Sequence, residues 1–269
     1  MNRFISAAII SCSLAISVSA DEHTNTSRVL PERPTIFAQI QPAKYQPGKG
    51  LPDVVAWGED FGKLVKKNGT PFRTTTWTPF YASMAALPDT AQFDTLFFGV
   101  WPSIADFGKG WTAFLKNGQA VQAALDQIVV PTNQKTLMAG YDLTEQKSFV
   151  PKNTLIRIKG CEISEGKTAA DIYPLALSAA KLATDAGVNM AASLLLIPGP
   201  GSSPSQENHV YILEAFETVE DYGVGYEKLM GATRRKINAV GSDAMSCDAP
   251  RLYLSNAVYW PLDFPRSGL

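Results

Sequence analysis

The side chains whose types and spacing could do chemistry sit on segments that alternate with a two-residue period, the signature of a half-buried strand. Leu155, Arg157 and Lys159 share one face of residues 153–159. Ile212, Glu214 and Phe216 share one face of 209–216, with His209 at its start. Arg73, Thr75 and Trp77 fall together on 72–81, and Arg251, Tyr253 and Ser255 on 251–259. On 35–41, Phe37, Gln39 and Gln41 oppose Ile36, Ala38 and Ile40. Arg73 and Arg157 could hold a carboxylate or oxyanion. Tyr253 or Glu214 could move a proton, and Gln39 and Trp77 would add ligand contacts. The same residues have a structural reading. Arg157 with Glu214 reads as an ion pair between inner surfaces, and Trp77, Trp101, Trp111 and Tyr226 read as core packing at regular apolar positions.

Of the two histidines, His23 lies in the polar leader, leaving His209 as the one imidazole in the folded part. It could ligate haem or act as a base, although its place at a strand edge beside the Pro/Gly/Ser-rich run 198–205 better suits a surface residue. Zinc and iron–sulfur sites find too few ligands in two His and three Cys, so no metal is expected. No Cys-x-x-Cys-His, Gly-x-Ser-x-Gly, Walker or dinucleotide-binding signature is present. The Gly-x-Gly pairs at 108–110 and 223–225 fall inside expected helices, without the strand–turn context of a phosphate loop.

An internal duplication organises these segments. Residues 39–69 align without gaps on 157–187 with seven identities over 31 positions, among them Gly48–Lys49 with Gly166–Lys167 and Asp53 with Asp171. Asp53 and Asp171 read as helix N-caps, and Gly69 and Gly187 as left-handed helix ends. A second block aligns 103–111 with 218–226. Each copy carries Ser/Thr-x-x-Asp, an approximate capping box, followed by aromatics four residues apart, Phe107 with Trp111 and Tyr222 with Tyr226. Each copy then reads strand–helix–strand–strand–helix–strand. The elements fall near 35–41, 53–68, 72–81, 94–101, 103–117 and 135–141, and near 153–159, 171–186, 190–197, 209–216, 218–231 and 251–259. The run 198–205 reads as an exposed loop, because proline and glycine interrupt both ladders.

Composition bounds the rest. With 269 residues, 45% of them hydrophobic, there is enough apolar area for a folded core. A formal charge of −1 argues against nucleic acid or an anionic membrane as partner, both of which need a basic surface. Arg3, the short apolar stretch 4–18 and Val18–Ser19–Ala20 read as a signal peptide cleaved after Ala20, giving a periplasmic or secreted protein. No later segment is apolar enough to span a bilayer. Cleavage would remove Cys12, leaving Cys161 and Cys247 as a candidate disulfide in an oxidising compartment.

The βαββαβ order is that of a ferredoxin-like unit. Phe216–Glu217–Thr218–x–Glu220–Asp221–x4–Tyr226, an aromatic ending a strand and then a capped helix, resembles the dimeric α/β-barrel superfamily. The resemblance implies an α+β fold in which two tandem ferredoxin-like units pair into one intramolecular barrel. Residues 1–20 would be the signal peptide, 21–34 a leader, 35–141 the first repeat, 142–152 a linker, 153–260 the second repeat and 261–269 a tail. A further homodimer is left open. Members include cofactor-free monooxygenases, muconolactone isomerase-like enzymes, haem proteins and stress-response proteins, and the fold alone does not choose among them. Placed on that fold, Ile36, Ala38 and Ile40 would lie under the helices, while Gln39, Arg73, Trp77, Arg157, Glu214 and Tyr253 would face the interior. The expected function is an exported binder of a small organic molecule, or a cofactor-free enzyme acting on one, inside the barrel. The alternatives are a non-catalytic binding or stress module and a haem protein using His209. The same fold brings the end of strand one beside the start of strand four in copy two, which implies a Cys161–Cys247 disulfide.

Overall fold

The computed structural model describes residues 29–82, 93–132, 134–144, 154–203, 206–261 and 264. The expected signal segment, most of the leader, most of the linker and most of the tail lie outside the described residues.

The first half runs β1 (Ile36–Tyr45), α1 (Leu51–Asn68), β2 (Arg73–Tyr81), β3 (Thr95–Trp101), α2 (Ile104–Asn117), α3 (Gln119–Asp126), β4 (Val129–Pro131) and β5 (Thr136–Asp142). The second repeats that order as β6 (Thr154–Ile163), α4 (Ala169–Asp185), β7 (Ala192–Pro198), β8 (His209–Phe216), α5 (Val219–Lys228), α6 (Ala232–Ala239), β9 (Met245–Cys247) and β10 (Arg251–Tyr259). The strands pair antiparallel in the order β2-β3-β1-β5-β7-β8-β6-β10, and β10 returns to β2. The result is a closed eight-stranded barrel whose wall strands are each paired on both sides. Within each half the order is fourth, first, third, second strand. The seams between halves are β5 with β7 and β10 with β2. Among the described residues no helix is long and apolar enough to cross a membrane.

The two capped helices form where their sequence signals stand. The Ser103 hydroxyl accepts from the Asp106 amide at 3.0 Å, and the Thr218 hydroxyl from the Asp221 amide at 2.9 Å. Asp53 and Asp171 sit deeper than expected. They are the third residues of their helices, and their carboxylates accept from the amides of Gly50 and Thr168 at 3.0 and 2.8 Å. They therefore act as the reciprocal arm of a cap rather than as the cap itself. Gly69 ends α1 at φ 61° and Gly187 follows α4 at φ 83°, the left-handed geometry expected of them. The short elements α3, β4, α6 and β9 occupy stretches that sequence patterning left unassigned, since three to eight residues carry too little periodicity to register.

The 198–205 run does more than bridge two strands. The Gly199 amide donates to the Leu137 carbonyl and the Leu137 amide to the Pro200 carbonyl, each at 2.9 Å, so the loop continues the β5–β7 seam. Gly201 has φ 85°, and a Cβ there would come within 1.9 Å of the Lys135 carbonyl oxygen. Glycine is the residue that lets the two backbones meet.

Side chains from all eight strands fill the barrel. Ala38, Trp77, Phe98, Met138, Ile156, Leu196, Leu213 and Tyr253 belong to this interior cluster. Separate apolar layers lie between the outer wall and the helices, with Phe61, Phe72 and Trp101 under α1 and α2, and Ile172, Leu195 and Ile212 under α4.

Cys161 and Cys247 are disulfide-bonded and directly opposed in the β6–β9 ladder. The expected neighbourhood is correct. The reach of strand one is longer than anticipated, because β6 continues to Ile163 and pairs first with β10 and then with β9.

Candidate functional site

A cavity of about 210 Å³ lies outside the barrel wall, between the first half-sheet and its three helices. Its roof and walls are aromatic. Trp57 and Phe61 of α1 stack at 4.8 Å between ring centroids, Trp111 and Phe114 of α2 meet edge-on at 5.7 Å, and Phe72 leans on Trp101 at 4.5 Å. Its floor is the outward face of β1 and β2, with Gln39, Gln41 and Thr74. The side-chain amides of Gln39 and Gln41 make no hydrogen bond among the described residues. The Trp111 indole Nε1 is buried without a partner among them. Such unpaired donors and acceptors in an apolar wall are what a ligand's polar group would satisfy. At the rim the Lys135 ammonium sits 4.8 Å above the Trp111 ring. Burial lowers its proton affinity, an effect that the Asp126 charge partly offsets.

Strand register explains why this space exists. In the first half Gln39 stands opposite Gly99, and at the equivalent place in the second half Arg157 stands opposite Glu214. Gly99 leaves room for the Phe72 ring, which a Cβ there would meet at 2.8 Å. Arg157 and Glu214 instead form an ion pair and fill the same ground under α5, near Tyr222 and Tyr226. The Glu214 charge raises the proton affinity of Arg157 further, against the opposing effect of burial. Phe61 and Val65 of α1 correspond to Ala179 and Ala183 of α4, so the second half also lacks the aromatic roof. The first half holds a cavity at this register, and the second holds an ion pair there.

The sequence-predicted residues divide between the two faces of the wall. Trp77, Tyr253 and Arg73 do face the interior, as expected. Gln39, Arg157 and Glu214 do not. They lie on the outer, helix-covered face, and Ile36, Ala38 and Ile40 take the inside. The faces of strand one and of the Glu214 strand are thus inverted relative to expectation. Both faces of a barrel strand are covered, so alternation alone cannot say which is inner. An eight-stranded interior is just wide enough for side chains to fill it and favours the apolar set. Long polar side chains on the outer face can reach water past the helix.

Arg73 and Tyr253 lie toward opposite ends of the interior. The Arg73 Nε donates to the Pro261 carbonyl at 3.1 Å, and its guanidinium is flanked by the Trp260 and Phe264 rings at 4.8 and 4.4 Å. That end is covered by the chain following β10. At the other end a second cavity of about 180 Å³ opens, lined in part by Trp77, Tyr211, Arg251 and Tyr253. Sequence reasoning missed Lys135, Trp111 and Thr74 as cavity residues. The pairing of Trp111 with Phe107 was visible, but nothing local shows that Lys135, just before β5, returns over α2.

His209 opens β8 opposite Glu162, with its Nδ1 buried and unpaired among the described residues. It lines neither cavity, and neither cavity wall contains a histidine or cysteine. The arrangement does not fit haem ligated through His209 in either cavity.

No protein-family model matches the sequence, and no curated protein matches it. Solved structures do share the fold. A protein provisionally named a monooxygenase from Fusobacterium nucleatum superposes with a TM-score of 0.54 over 84% of this chain and 93% of its own, at 9% identity. Another provisional monooxygenase, from Lactobacillus acidophilus, gives 0.50 over 84% and 100%, at 11% identity. A provisional chlorite dismutase gives 0.49 over 82% and 94%, at 11% identity. The closed antiparallel barrel and the likeness to the two proteins named monooxygenases show the fold, that of a dimeric α/β barrel with both half-barrels in one chain.

Proposed function

We propose that this protein binds a small, flat, mostly apolar organic molecule carrying an anionic or acceptor group, in the cavity beneath α1, α2 and α3. The observation that supports this reading most directly is the contrast between equivalent register pairs, Gln39 with Gly99 and Arg157 with Glu214. Two halves of matching strand order differ in whether space is held open over the sheet. In the open half, aromatic faces would sandwich a ring, Gln39 and Gln41 would orient its polar edge, and Lys135 would hold its negative group. The two halves are read as tandem ferredoxin-like units. The apolar start of the sequence and the Cys161–Cys247 bond together support an exported protein working in an oxidising compartment.

A second reading, cofactor-free turnover in the same cavity, rests on Lys135. An amine whose burial eases proton loss, set at the edge of an apolar cavity, can take a proton from a bound acid.

Titration with 1-naphthoate and with neutral naphthalene, followed by fluorescence of the cavity tryptophans, tests the site. Both probes should bind, and Lys135→Met should weaken naphthoate alone. The double variant Gln39→Arg with Gly99→Glu, which installs the pair of the second half, should abolish both. Unchanged binding in a folded double variant would overturn the assignment. Mass spectrometry of small molecules that co-purify with the full chain would identify the natural ligand class.

A further inference from the structure

We infer a second, chemically distinct site inside the barrel: a mouth that takes a single-ring organic acid, with its ring against Trp77 and Tyr253 and its carboxylate at Arg251. The site does not depend on the cavity under the helices, because the barrel wall separates them.

The floor is apolar and comes from strands of both halves, with Ile40, Leu96, Met138 and Ile158. Trp77 stands 6.0 Å from Tyr253, and Phe93 lies nearly parallel to Tyr253 at 6.4 Å, giving ring faces on one side of the space. A volume of about 180 Å³ suits one ring and its substituent, since an apolar cavity of roughly 150 Å³ accepts benzene. The polar groups are gathered toward the open end. Arg251 shares the inward face with Ile158, its ladder partner, and its guanidinium pairs with Asp248. The Gln206 amide donates to the Tyr211 hydroxyl at 2.8 Å, beside the same opening.

The rim is also braced. Asp248, next to the disulfide-bonded Cys247, accepts from the Gly160 amide at 2.8 Å while it holds Arg251. The guanidinium that meets the ligand is thereby fixed before binding, which lowers the ordering cost. With Asp248 on one edge, Arg251 keeps its remaining donors for a carboxylate. The Tyr253 phenol, kept protonated by burial in this apolar wall, supplies a further donor. An uncharged ligand would forgo the Arg251 contact, and a two-ring acid would exceed the space.

Benzoate serves as the probe, with benzamide as the control, measured by calorimetry on the intact, oxidised full chain. Apart from any binding in the cavity under the helices, which Lys135→Met would weaken, benzoate should bind at this mouth. Arg251→Met should weaken it at least about tenfold, Tyr253→Phe should weaken it less, and Lys135→Met should leave it unchanged. Benzamide should bind weakly and be indifferent to Arg251→Met. A crystal structure of the unsubstituted protein with benzoate should show the ring between Trp77 and Met138. No density for benzoate at this mouth, benzoate affinity indifferent to Arg251→Met, or no binding at millimolar benzoate would each overturn the site. Because Lys135→Met probes the other cavity, failure of one site is distinguishable from failure of the other.

Discussion

Lys135 carries the clearest pH signature. Its ordinary value of 10.5 applies in the unfolded chain, and burial lowers it in the fold. Between the lowered value and 10.5 the unfolded chain binds more protons, so this residue's contribution to stability rises with pH. Urea melts of the unsubstituted protein and Lys135→Met should therefore converge as pH climbs from neutrality toward 10. A gap that stays constant would contradict the burial of the ammonium. Affinity for an anionic ligand runs the other way and should fall over the same range, as the cation that holds it is lost. Glu214 carries a different expectation. Removing its charge by Glu214→Gln strands the Arg157 cation, with the two side chains only 23% and 17% exposed. The cost should be about 2–3 kcal/mol in urea denaturation, below the figure for a fully buried pair. The double variant Arg157→Met with Glu214→Leu should recover most of it, since no uncompensated charge remains.

At the scale of elements, β9 has only three residues and is held to β6 by pairing and by the Cys161–Cys247 bond. That bond closes a sequence separation of 86 residues. The double variant Cys161→Ala with Cys247→Ala should lose about 2–4 kcal/mol, read from urea midpoints with and without reductant on the unsubstituted chain. Detaching β9 would also release Asp248 from Gly160 and loosen the Arg251 rim. The long elements were legible from local pattern. Helices bounded by Ser103, Thr218, Gly69 and Gly187 formed between those residues, because caps and left-handed glycines act through backbone groups a few bonds away. The short elements were not legible, since eight residues or fewer span too few turns for a repeat to stand out.

At the scale of the molecule, each half leaves two edges that only the other half covers, β2 against β10 and β5 against β7. Residues 29–144 expressed alone should not remain a monomer. Light scattering should show a self-paired dimer or larger species, because bare antiparallel edges recruit other strands. A stable monomeric half would contradict the closed barrel.

Residue order alone anticipated the repeated succession of strands and helices and the neighbourhood of Cys161 and Cys247, since these depend on spacing, capping chemistry and chain direction. It could not settle which face of a wall strand looks inward. Alternation is symmetric under exchange of faces, and both sides of this wall are covered. Only the closed barrel placed Ala38 and Ile156 inside and sent Gln39, Arg157 and Glu214 beneath the helices. Only tertiary packing showed an aromatic-lined cavity beside Gly99 and a half-buried ion pair at the equivalent Glu214.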